Sequence, residues 1–109
     1  MQQRLYFSSV LLMVAIFTGM SFIPESPVPS FQTEVFPLIQ QKCAIPTCHG
    51  VSQRPYFTDY ESIEKKASRI EKRITHPRRP MPPANADVEL SAVEQQLILD
   101  WIVAGAPNN

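Results

Sequence analysis

Two thiols and an imidazole stand within one short stretch of this chain, Cys43-Ala44-Ile45-Pro46-Thr47-Cys48-His49. A cysteine pair with a histidine directly after the second member is the arrangement that attaches a c-type haem. Each thiol can add across one haem vinyl group to give a thioether, and the adjacent histidine is then held under the iron as its proximal ligand. Tethering and ligation become one event. The common spacer between the cysteines is two residues, whereas Ala44, Ile45, Pro46 and Thr47 make this one four. Pro46 lacks a backbone N–H and restricts Ile45, so the spacer is expected to form a short rigid bulge and not regular helix.

The same residues admit other chemistry. An even cysteine count in an exported chain permits a Cys43–Cys48 disulfide. Closing so short a loop yields only about 2 kcal/mol and leaves His49 without a role. Zinc is the second alternative, because Cys43, Cys48, His49 and His76 supply four ligands of the right type, although adjacent Cys48 and His49 suit zinc-ligand spacing poorly. Ordinary buried cysteines beside a surface histidine are the third.

A second ligand to iron has two candidates in His76-Pro77-Arg78-Arg79-Pro80-Met81-Pro82-Pro83, a stretch too rich in proline for helix. Pro82 pushes Met81 toward an extended backbone and the flanking prolines stiffen it. A thioether held in this way suits a distal axial position, and methionine opposite histidine raises the reduction potential into the range of electron carriers. His76 is the rival distal ligand. Taken without a haem, Met81 reads as a gap-filling apolar side chain and His76 as a helix C-terminal residue favoured by the dipole.

Three helical segments must position these groups. The first spans about residues 33–42, with Thr33 as expected N-cap, Pro37 near the first turn, and Val35, Phe36, Leu38 and Ile39 supplying apolar surface. It delivers Cys43. The second begins at a Thr58/Glu61 capping box and carries Tyr60, Ile63, Ala67, Ile70 and Ile74 at helical spacing, a stripe expected in the core. The third begins at a Ser91/Glu94 capping box, carries Val93, Leu97, Ile98, Trp101 and Ile102, and stops at Gly105 with Pro107 beyond. Trp101 is expected against the first helix.

Length and composition bound the rest. The 109 residues leave one small domain at 31–109, preceded by a proline-rich linker at 22–30 and an export signal at 1–21. Arg4 precedes an uncharged, mostly apolar run from Leu5 to Ile23, with Gly19 and Ser21 marking a cut before Phe22. That run is almost long enough to serve instead as an uncleaved membrane anchor. Export directs the chain to the periplasm or cell envelope. A domain this small buries little core and often recruits a metal, disulfide or cofactor, a role a haem would fill. The formal net charge of zero argues against nucleic acid as a bulk electrostatic partner.

The charge is nonetheless segregated. Lys65, Lys66, Arg69, Lys72, Arg73, Arg78 and Arg79 lie in residues 64–79 against only Glu64 and Glu71. Such a face either docks an acidic redox partner or neutralises the haem propionates, unless it is simply a solvated helix face with Glu-to-Lys pairs.

Together these features resemble a small monohaem cytochrome c domain of the bacterial periplasmic kind, including its variants with four residues between the haem cysteines. The likeness covers about residues 31–107. It rests on a helix before the motif, on Cys43, Cys48 and His49, on Met81 followed by prolines, and on a closing helix ending Trp101-Ile102-Val103-Ala104-Gly105-Ala106. The resemblance implies an all-α fold whose first and last helices cross around one covalent haem c, with one haem edge open to solvent. It implies one-electron transfer to a redox partner and no enzymatic turnover. It further implies that His49 donates its far ring N–H to a carbonyl after the motif, that of Arg54 or Pro55; Tyr56, Phe57 and Tyr60 read either as lining of the haem pocket or as ordinary core.

Overall fold

A computed structural model describes residues 27–109, so the expected signal or anchor at 1–21 and the start of the linker lie outside the described residues. Among the described residues every regular element is helical and there is no strand. A π-helical turn, Phe31–Val35, runs directly into α1, Phe36–Lys42; α2 is Tyr60–Glu64, α3 is Ala67–Ile74 and α4 is Ala92–Val103. No helix among them is long and apolar enough to cross a membrane.

The first helix begins earlier than its sequence suggests. Ser30, not Thr33, is the N-cap: its hydroxyl accepts from the Thr33 N–H at 3.3 Å, and its own N–H donates to the Glu34 carboxylate at 2.7 Å. Pro37 has no N–H to return to the preceding turn, which is accommodated by the wider π spacing. This early start turns Phe31 inward. Its ring stacks on Trp101 at 5.4 Å and meets Tyr60 edge-on at 5.0 Å, and both Phe31 and Trp101 are fully buried. The expected contact between Trp101 and the first helical segment is therefore made, and α4 packs against both that segment and α3.

The second segment departs from expectation twice. Asp59 and Ser62 form its capping box in place of Thr58 and Glu61, with the Asp59 carboxylate accepting from the Ser62 N–H at 2.8 Å. Aspartate outcompetes threonine as a cap, and Ser62 returns its hydroxyl to the Asp59 N–H at 3.2 Å. The helix then breaks at Lys65 and Lys66 into α2 and α3. The apolar stripe survives the break, since Ile63, Ile70 and Ile74 are all buried.

The closing helix follows its sequence signals. Ser91 and Glu94 form the capping box, and at the far end Ala106 N–H bonds the Trp101 carbonyl at 2.9 Å while Gly105 N–H bonds that of Ile102 at 3.0 Å. That pair of bonds needs a left-handed residue after the helix, and Gly105 supplies it at φ 96°. The turn brings the Ala106 carbonyl to the Tyr60 hydroxyl at 2.7 Å and that of Pro107 to the Trp101 indole N–H at 2.9 Å. Buried Trp101 and half-buried Tyr60 thus both have their polar atoms satisfied. Replacing Trp101 with alanine should cost about 3–5 kcal/mol, most of the stability of a domain this size, and urea denaturation will measure it.

Candidate functional site

The loop after α1 is built to hold His49. Helix α1 ends with the Cys43 and Ala44 N–H groups sharing the Ile39 carbonyl, both at 2.8 Å. The chain then turns back so that His49 N–H donates to the Cys43 carbonyl at 3.0 Å, closing the four-residue spacer into the expected non-helical bulge. Cys48 and Gly50 N–H groups both donate to the Ile45 carbonyl, at 2.9 and 3.1 Å. Gly50 is required here because a Cβ would lie 2.5 Å from the Ala44 carbonyl oxygen and 2.8 Å from that of Ile45.

Two further contacts fix the imidazole. The His49 carbonyl accepts from Phe57 N–H at 2.9 Å, and the Phe57 carbonyl accepts from the Gln40 side-chain amide at 2.7 Å, which ties the loop back to α1. The ring lies 5.0 Å from that of Phe57. Its Nδ1 is 2.8 Å from the Pro55 carbonyl oxygen. A carbonyl can only accept, so Nδ1 carries a proton, and in the neutral ring Nε2 keeps its lone pair, the tautomer a metal ligand needs.

His49, Cys43 and Met81 line one cleft of about 250 Å³ together with Phe57, Ile70 and Ile74. Met81 reaches it from the proline-rich loop, held by its N–H to the Arg73 carbonyl at the end of α3, at 3.0 Å. Ile74 and Met81 also form a wall of a neighbouring hollow of about 540 Å³ that extends to Lys42 and the start of α4. Among the described residues, one ion pair is formed, Lys42 with Glu94 at 3.8 Å, across that hollow. Arg54, Lys66, Arg69 and Arg73 complete the wall of the smaller cleft, which contains no carboxylate.

Other candidates fall outside the cleft. Cys48 is half-buried beside the Thr47 hydroxyl, and both cysteines are free thiols. His76 does not line the cleft, and its Nδ1 accepts the N–H groups of Arg78 and Arg79 at 3.1 and 2.9 Å. Its proton therefore sits on Nε2, the wrong tautomer for binding a metal through that atom. Cys43, Cys48, His49 and His76 are not gathered into a zinc site: among the described residues no three His, Cys, Asp or Glu side chains form a metal-holding group. Of the three aromatics, Phe57 lines the cleft, Tyr60 joins the core and Tyr56 is exposed beneath the Arg54 guanidinium.

Two participants are backbone carbonyls, those of Cys43 and Arg73, which residue type cannot reveal. No family model, curated protein or solved structure matches this chain.

Burial against the core pushes the Cys43 thiol up from about 9.0 to about 11, with the neighbouring Cys48 adding to the shift. The raised value means the folded state holds its proton while the unfolded thiol loses it. This contribution is complete below pH 9 and is lost as pH rises toward 11. Cys43→Ser should flatten the decline of stability across that interval in pH-dependent denaturation. Gly50→Ala, forced against two carbonyls, should cost about 1–3 kcal/mol in the same assay.

Proposed function

We propose that this chain is a monohaem c-type electron carrier exported to the periplasm or cell envelope. The observation that carries the reading is the His49 imidazole, whose ring is locked by Pro55 with Nε2 unprotonated in a cleft shared with Cys43 and Met81. The donor set fits the cofactor: two thiols for thioether anchors, an imidazole for the proximal position and a thioether sulfur for the distal one. When bound, haem c supplies a one-electron iron couple.

The protein's own residues would hold and insulate that group. Cys43 and Cys48 are the covalent anchors, with Cys48 closing from outside the cleft wall. Met81 is favoured over His76 as distal ligand because it lines the cleft and His76 commits its Nδ1 to Arg78 and Arg79. Phe57, Ile70 and Ile74 are buried and supply apolar walls, which would limit water beside a bound iron and suit electron transfer. Were His49 and Met81 both to hold the iron, no position on it would be left for a substrate. Arg78 and Arg79, exposed beside the Met81 loop, suit docking of an acidic redox partner.

Expression with haem-attachment machinery tests the reading by mass and by the reduced-state absorption spectrum. The expected product is coloured and heavier by one haem. Met81→Ala should alter distal ligation and lower the reduction potential, whereas His76→Ala should leave both unchanged. Colourless protein lighter by two hydrogens would replace this reading with an exported domain closed by a Cys43–Cys48 disulfide.

A further inference from the structure

The cationic segment divides into two sets by where its side chains go. Lys66, Arg69 and Arg73 follow one another at spacings of three and four residues, so they share one side of α3 and its leading turn. They line the same cleft as His49, as does Arg54 from the loop after the cysteine motif. Lys65 and Lys72 are exposed and do not line it. Lys66 and Arg73 are half-buried, whereas Arg54 and Arg69 are exposed and line the cleft from its rim. Partly desolvating a cation is unfavourable unless an anion meets it, yet the cleft wall offers no carboxylate, and the one ion pair among the described residues lies elsewhere.

We infer that Lys66, Arg69 and Arg73, with Arg54 beside them, form a receptor for the two carboxylates of an amphiphilic ligand whose apolar body rests on Phe57, Ile70 and Ile74. The inference rests on the haem reading and deepens it. The ligand is a porphyrin dicarboxylate, and the inner cations set which edge of it faces α3. The outer cations take no part. Arginine suits the task because its planar fork can bind a carboxylate through two parallel hydrogen bonds.

The experiment compares ferric protoporphyrin IX with its dimethyl ester, which has the same ring and metal but no carboxylate charge. Each is titrated into the full chain with thiols reduced, with quenching of Trp101, the single tryptophan, as the readout. The wild type should prefer the diacid by about tenfold or more, the yield of one or two charge-assisted hydrogen bonds. That preference should shrink as salt is raised. Arg69→Gln/Arg73→Gln should bring the ratio close to one, while Lys65→Gln/Lys72→Gln, with the same loss of charge, should leave it in place. Ester affinity is the internal reference for each variant, so a general loss of folding cannot imitate the result. Equal wild-type affinity for diacid and ester, or equal loss in both double variants, overturns the receptor and leaves the haem reading standing. If neither porphyrin binds, the receptor falls, and the haem reading is then decided by covalent attachment alone.

Discussion

An imidazole can bind a metal only through a nitrogen that carries no proton, and in this chain a backbone carbonyl makes that choice. Pro55 takes the Nδ1 proton of His49, which leaves Nε2 as the free lone pair. The carbonyl is where it is because His49 and Phe57 pair through their backbones and Gln40 secures Phe57 to α1. His76 shows the opposite outcome. Its Nδ1 is an acceptor for a local turn, so two histidines of one sequence end in different tautomers for reasons that lie in the backbone around them.

The core serves this geometry at one remove. Phe31, Trp101 and Tyr60 form an aromatic cluster that fastens the first helical segment to the last, and from there α1 runs out to Cys43. Ile70 and Ile74 fasten α3 to the same core, and the carbonyl of Arg73 at its end receives Met81. Cys43 and Met81 therefore reach the cleft from two separately anchored helices. Each loop is tied to a helix end, through the carbonyls of Cys43 and Arg73.

On the haem reading, the cleft combines features that would be costly in an isolated small domain. It sets buried isoleucines and a buried phenylalanine beside four cations with no carboxylate among them. A flat apolar ligand bearing carboxylates would relieve both demands together, covering the hydrocarbon and neutralising the charge. Packing against the core also explains why ionisation of the free Cys43 thiol is suppressed.

Much of the local structure was legible in the residues. The Ser91/Glu94 box, the Gly105 stop, the Ile63-Ile70-Ile74 stripe and the non-helical spacer all follow from short-range rules, because each depends on groups within about one helical turn or on a fixed periodicity. The first two caps were misplaced by a few residues because Ser30 and Asp59 compete with neighbours of similar chemistry, and only the direction of the entering chain selects between them. The chemistry available in the cysteine and proline-rich stretches was likewise set by the residue types themselves. What tertiary structure alone decided was which of those groups share a cleft: Met81 but not His76, Cys43 but not Cys48, Lys66, Arg69 and Arg73 but not Lys65 or Lys72. That selection depends on carbonyls and helix orientations contributed by segments distant in the chain, and sequence spacing carries no record of them.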